Sequence, residues 1–471
     1  MSNCPRLVIA GSHSGVGKSS LTLALVAALR QRGLTVQTFK VGPDYLDPGH
    51  LSRVSGRPCY NLDGWMCGRD YVTRLFAERS AAADIAIIEG VMGLYDGSSP
   101  TSLDGSTAQI ADWLQAPVAL VVNSHGMARS LAALVHGYAS FEPTITLAGV
   151  IANFCGSDSH ATLLTQALQA ANLPPLLGAV PRNALPALPS RHLGLVSATE
   201  TQWDADLIQQ LATAAEQHLN LDHLLQQARN APSLPPIPPA PPVKVVADGT
   251  VRLAIARDAA FQFYYQDLFD ALEQRGVELV FFSPLEDKEL PANCNGLYLG
   301  GGYPEEHAEQ LSSNHAMLNS IRNFCNSGRP VYAECGGLMY LSQGLQKEEK
   351  NWPFVGILPS WTRMRSRRKR LGYMEVTLQR PILFGDVGTR LRGHEFHYSE
   401  LYDNPLVNTE WEAAYQTRTN RDGSLRDEGY RWGQVLASYV HLHLASSPKA
   451  LDKFVSVLQK TEPSSVHEKQ R

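Results

Sequence analysis

Short uninterrupted apolar runs alternate along the first half of the chain with stretches in which apolar positions recur every three or four residues. "RLVIA" (6–10), "TVQTFKV" (35–41), "DIAIIEG" (84–90), "PVALVVN" (117–123), "LAGVIANF" (147–154) and "LLGAVP" (176–181) are predicted to be strands buried on both faces. Between several of them lie helical patterns, as where Leu21, Leu25, Ala28 and Leu29 share one face and Gly33 ends the helix. This alternation implies a parallel sheet wrapped by helices. The pattern stops at "APSLPPIPPAPPVKVVADGT" (231–250), whose prolines cannot continue a helix or a central strand. It resumes in "VRLAIA" (251–256), "VELVFF" (277–282), "GLYLGGG" (296–302) and "PVYAEC" (330–335). The expected architecture is α/β, with domains at 1–230 and 251–460 joined by a semi-rigid Pro-rich linker, 231–250. A polar tail after about Lys460 is expected to fray.

Composition narrows the class. A chain of 471 residues exceeds one core, and 44% hydrophobic with 18% charged residues is ordinary for a globular protein. A net charge of −4 gives no general pull toward nucleic acid or anionic membrane. No apolar run is long enough to cross a bilayer, and the start leads straight into a strand without a signal-peptide pattern. Seven cysteines without a CxxC pair indicate neither a disulfide framework nor a zinc site. The expectation is a reduced, cytoplasmic protein with no membrane or nucleic-acid partner.

"GSHSGVGKSS" (11–20) follows a predicted strand and opens a predicted helix, the setting of a phosphate-binding loop. Its backbone N–H groups can wrap phosphates, with Gly15 and Gly17 allowing the close approach. Lys18 can neutralise terminal phosphate charge, and Ser19, followed by Ser20, brings a hydroxyl to magnesium. A plain glycine turn before a helix would need neither Lys18 nor Ser19. Nearby strands run into acids: "DIAIIEG" ends on Glu89, "FKVGPDYLDPGH" carries Asp44 and Asp47, and Asp96 follows in "EGVMGLYDG". Magnesium needs only one or two carboxylates beside phosphates, so these acids point to phosphoryl transfer.

Cys335 in "YAECGG" ends one predicted strand and precedes Gly336 and Gly337. If a helix starts there, the thiol stands at its N-terminus, where the anion is favoured. The backbone of Gly336 can then approach a developing oxyanion, and "LGGGYPE" offers a second donor at Gly301. "SYVHLH" supplies two histidines at strand spacing, on one face, as candidate bases.

Taken together, the N-terminal half resembles the dethiobiotin-synthetase-like P-loop ligases, and the C-terminal half resembles the flavodoxin-like class I (triad) glutamine amidotransferases. Their fusion, with "FKVGPDYLDPGHLS", "EGVMGLYDG", "RHLGLV", "LGGGYPE" and "AECGGLMYL", resembles the cobyrinic acid a,c-diamide synthases of cobalamin biosynthesis up to about residue 460. The resemblance implies that Cys335 attacks glutamine, that His441 serves as base and acid, and that the released ammonia passes internally to the ATP site. There a substrate carboxylate becomes an acyl phosphate, twice, on the a and c acetates of a cobyrinate tetrapyrrole. It further implies that Lys18, Ser19, Asp44 and Glu89 serve ATP and Mg2+. Tyr45, Leu46, Asp47 and Asp96 lie nearer the carboxylate, and Asn153 reads adenine. A homodimer is left open.

This chain departs from the generic patterns twice. Ser12 occupies the first glycine position of the P-loop, and His443 occupies the place, two residues after the histidine, where the triad glutamate is expected. The run "RMRSRRKR" (363–370) reads as a solvated loop, a nucleic-acid contact or a clamp for a polycarboxylate substrate. The same architecture could amidate a metal-free or nickel tetrapyrrole, such as hydrogenobyrinic acid or Ni-sirohydrochlorin, or serve a cobyric acid synthase. A partition-type ATPase would carry a lysine where His13 stands, and it leaves Cys335 unused. The other cysteines and His13, His50, His125 and His192 are read as structural.

Overall fold

A computed structural model of the chain describes residues 4–461 apart from 189, 192–193, 196–197, 199–200, 202, 238, 248–250, 366–369 and 421. His192, much of "RHLGLV", the tail past 461 and the middle of the basic run therefore lie outside the described residues. The chain forms two compact units, Met1–Ala240 and Pro241–Arg471. Among the described residues no helix is long and apolar enough to cross a membrane.

In the first unit seven strands pair in parallel: β1 (Arg6–Gly11), β2 (Val36–Val41), β3 (Tyr60–Leu62), β4 (Ile85–Glu89), β5 (Val118–Asn123), β6 (Leu147–Cys155) and β7 (Leu176–Pro181). Their order is β3-β2-β4-β1-β5-β6-β7. β1 and β4 are central and buried along their whole length, which is why they read as unbroken apolar runs. β7 departs from that expectation: several of its residues are only half-buried, because it is the sheet edge. Helix α1 (Lys18–Gln31) also differs from its one-faced pattern. Every residue from Leu21 to Leu29 is buried, because the later helix Ala205–His218 packs over its outer side.

The Pro-rich segment is anchored at both ends. Leu234 is buried in the first unit, where the Arg6 guanidinium donates to Pro232 O. In the second unit, Val246 N donates to Arg275 O at 2.9 Å.

The second unit is built on a ten-stranded sheet. Its parallel half runs Val277–Phe282, Val251–Ala256, Gly296–Leu299, Val331–Glu334, Val435–Ser438. Numbered along the chain, that is the order 2-1-3-4-5 of a flavodoxin-like sheet, which places ligands beyond the strand C-termini. An antiparallel half extends it through Leu425–Trp432, Glu412–Thr419, Arg370–Leu378 and Arg390–His397 to the two-residue strand His441–Leu442.

Candidate active sites

In the first unit β1 stops at Gly11 and α1 begins at Lys18. Gly15 and Gly17 between them have φ of 84° and 94°, the left-handed region that side chains resist. A Cβ on Gly17 would fall 2.3 Å from Asn153 Nδ2, so the loop curls too tightly for any other residue there. Ser20 lies half-buried on the first turn of α1. Lys18 Nζ donates to Met92 O at 2.5 Å. Burial, reinforced by neighbouring Lys40, brings the Lys18 ammonium down to about 8.

Ser19 Oγ donates to Glu89 Oε1 at 2.7 Å and lies 3.4 Å from Asp47 Oδ2. The same two carboxylates hold Lys40 Nζ, at 2.5 Å from Asp47 and 2.8 Å from Glu89, and Gly90 O accepts from it at 3.2 Å. Burial acts to lower Lys40, but Asp47 and Glu89 outweigh it and hold the ammonium above the usual lysine range. Glu89 is pushed up to about 7, chiefly by burial. Burial also acts to raise Asp47, but Lys40 outweighs it and keeps that carboxyl low.

The oxygens of Ser19, Asp47 and Glu89 converge, and the buried Glu89 Oε2 has no hydrogen-bond partner among the described residues. No group of three His, Cys, Asp or Glu side chains among them could hold a metal unaided. Magnesium does not need one, since it draws its remaining ligands from phosphates and water, so the residues present fit it. Asp44, expected as a ligand, also holds backbone through one of its oxygens. Its Oδ1 accepts from the backbone N–H of Leu46 and Asp47 at 2.8 and 3.1 Å, in the first turn of helix α2 (Leu46–Ser55). Of the two acids in this segment, Asp47 is the one near Ser19. Burial, then Asp47, raises Asp44 to about 6.

Tyr45 and Leu46 stand half-buried at the start of α2. Asp96 is exposed, and its Oδ2 accepts from Gly93 N at 3.0 Å, in the loop whose Met92 O holds Lys18. Asn153, expected to read adenine, donates from Nδ2 to Val16 O at 2.8 Å and accepts from Phe154 N at 3.0 Å. It thereby pins the phosphate loop to the end of β6.

In the second unit Cys335 separates the strand Val331–Glu334 from the helix Gly336–Leu341, with φ 48° and ψ −98°. A side chain in that region is strained, and hydrogen bonds on both sides hold it there. Cys335 N donates to Ser438 O at 2.7 Å, and Cys335 O accepts from Met339 N at 3.0 Å. The turn is so tight that a Cβ on Gly337 would sit 2.1 Å from Leu299 O. Gly301 lies against the imidazole, since its Cβ would meet His441 Cε1 at 2.6 Å, and Gly336 lies against Gly301 and Gly302.

His441 pairs across the sheet with His394, and the rings stack with centroids 5.0 Å apart. Burial pulls His441 down, but its hydrogen bond with the Cys335 thiol and the nearby Glu334 carboxylate outweigh that and raise it to about 10. Burial, then His441 and His443, hold His394 well below its ordinary value, so that ring is neutral. His443 Nε2 lies 3.3 Å from Asp267 Oδ2, and its ring is 4.7 Å from that of Tyr265.

Two residues at these sites were missed in the sequence. Lys40 sits inside an apolar strand, and the only cue to it was its position ahead of two acids. Glu334 was hidden because the acid was sought after the histidine rather than before the cysteine. In the basic run, Arg363 and Arg365 both pair with Glu400, a structural use of those two charges.

Two family models cover most of the chain. The CobQ/CobB/MinD/ParA nucleotide binding domain matches residues 7–196, and the CobB/CobQ-like glutamine amidotransferase domain matches 252–449. A cobyrinate a,c-diamide synthase of Syntrophotalea carbinolica is 54% identical, covering 96% of this chain and 98% of its own. Proteins of the same name from Leptospira interrogans, at 44%, and Priestia megaterium, at 41%, also cover 96% of this chain and 98% and 96% of their own. The phosphate loop, the strained cysteine with its histidine, and relatives that span both units agree: the chain belongs to the cobyrinate a,c-diamide synthase family.

Proposed function

We propose that the protein converts the a and c acetate carboxylates of cobyrinate to amides, using ATP and glutamine. The observation that carries this reading is the Cys335–His441 contact at a strained strand-to-helix turn, on a chain that also carries a phosphate loop.

On the glutamine side, the Cys335 thiolate attacks the side-chain amide carbon, and the backbone N–H groups of Gly336 and Gly301 receive the oxyanion. His441 gives its proton to the departing nitrogen, leaving a thioester that water hydrolyses to glutamate. On the nucleotide side, Lys18 and the loop N–H groups hold the transferring phosphoryl in line with the substrate carboxylate. Ser19, Glu89 and Asp47 would hold Mg2+, which when bound neutralises phosphate charge. Asp96 and the start of α2, with Tyr45 and Leu46, face the carboxylate. Ammonia attacks the acyl phosphate, the C–O bond breaks, and phosphate leaves. Ammonia delivered from glutamine is nucleophilic, whereas ammonia in neutral solution is mostly ammonium.

The test is the mass of the product from purified protein, ATP, glutamine and defined tetrapyrroles, with and without cobalt. A diamide of cobyrinate is expected. If cobyrinate returns unmodified while another tetrapyrrole gains two amides, the substrate assignment is wrong.

A further inference from the structure

In the triad amidotransferases that this chain resembles, an acid two residues after the histidine orients the imidazole. Here that position is His443, which is engaged by Asp267 and Tyr265. The buried carboxylate beside His441 comes from elsewhere. Glu334 is the last residue of the strand that delivers the thiol, and its Oε2 lies 3.5 Å from His441 Nδ1. That is an ion-pair distance at the outer edge of hydrogen bonding.

Three donors aim this carboxylate. Tyr298 hydroxyl donates to Oε2 at 2.8 Å, the Tyr332 hydroxyl donates to Oε1, and Leu442 N donates to Oε1 at 3.1 Å. The last bond ties the backbone next to His441 to the end of the strand that leads into Cys335. A buried glutamate in a central strand is costly unless it is so satisfied. Packing alone would be served as well by an apolar residue, without the two tyrosine hydroxyls.

We propose that Glu334 is the positioning residue of the glutaminase site: the carboxylate that orients His441 is supplied by the residue immediately before the nucleophile. This rests on the reading of Cys335 and His441 given above. Glu334 acts through the imidazole and touches no substrate. Its charge favours the protonated imidazole, the ring that faces the Cys335 sulfur. The titratable groups facing His441 are Cys335 and Glu334 on one side and the neutral His394 stacked on the other, with His443 close by. Tyr298 and Tyr332 donate to Glu334, and Tyr264 lies near it.

The experiment compares Glu334→Gln with the parent chain in glutamine hydrolysis, in amidation supported by ammonium, and in the pH dependence of Cys335 alkylation by iodoacetamide. Peptide mass mapping assigns the alkylated site. Glu334→Gln is expected to lower kcat for glutamine about ten- to a hundredfold, with KM within about twofold. The loss is smaller than that of a serine triad because a thiol ionises more readily than a hydroxyl. Alkylation should slow at neutral pH and its rise with pH move to higher pH, while ammonium-supported amidation persists. Parental kcat with an unmoved alkylation profile overturns the proposal. If Glu334→Gln loses ammonium-supported amidation as well, Tyr298→Phe decides. A rise of alkylation shifted to higher pH there supports the role, and an unshifted one overturns it. Cys335→Ser serves as the reference: glutamine-dependent amidation surviving in it would remove the underlying reading and this one together.

Discussion

Lys40 shows how much one side chain can settle. Its ammonium is shared by the buried Glu89 and the half-buried Asp47, and removing it leaves both without that partner. Lys40→Ala should therefore destabilise the first unit by about 3–5 kcal/mol, read by chemical denaturation. His441 makes a different prediction. With its pKa raised to about 10, the imidazolium persists through neutral pH and is lost only as pH rises toward that value. Glutamine hydrolysis should hold level across neutral pH and fall on an alkaline limb near 10, measured as glutamate release. A limb near the ordinary histidine value would show that the thiol and Glu334 do not hold the proton there. His441 was legible in the sequence as a candidate base, but Lys40 was not. A lysine in a buried strand reads as an exception to the pattern until its partners, 7 and 49 positions away, are placed beside it.

At the scale of elements, what could be read was what is local. The phosphate loop and the cysteine turn each occupy one strand, a few glycines and a helix start, so neighbouring residues announce them. The antiparallel half of the second sheet was not foreseen. Its strands are partly exposed, and no unbroken apolar run marks them. Asp44 and Asp47 illustrate the same limit. Both sit in "GPDYLDPGH", but only the helix that begins between them decides which one caps and which one turns toward Ser19. The turn at Cys335 also constrains its surroundings. Gly301→Ala would drive a methyl into the ring of His441. Glutamine hydrolysis should drop at least about tenfold, while ammonium-supported amidation stays near parental, because the ring is misplaced but the phosphate loop is untouched.

For the whole molecule, two units with separate chemistries predict separable losses. Cys335→Ser should abolish amidation from glutamine and keep it from ammonium at alkaline pH. Lys18→Ala should abolish it from both, as product mass would show. Equal loss from both sources in Cys335→Ser would mean that the thiol serves the nucleotide chemistry directly. The two-part organisation was visible in the sequence because prolines interrupt an otherwise regular alternation. That the segment's two ends are fastened to their neighbours was not, since Leu234 and Val246 look like any other apolar residues among prolines.

The ammonium of Lys40, lodged between Asp47 and Glu89, acts as a resident counter-ion. Folds assembled around a divalent ion collapse when a chelator takes it away. In this pocket a covalently attached cation already sits between the acids, so the fold should not depend on divalent supply. EDTA should silence amidation and leave the melting temperature where it was.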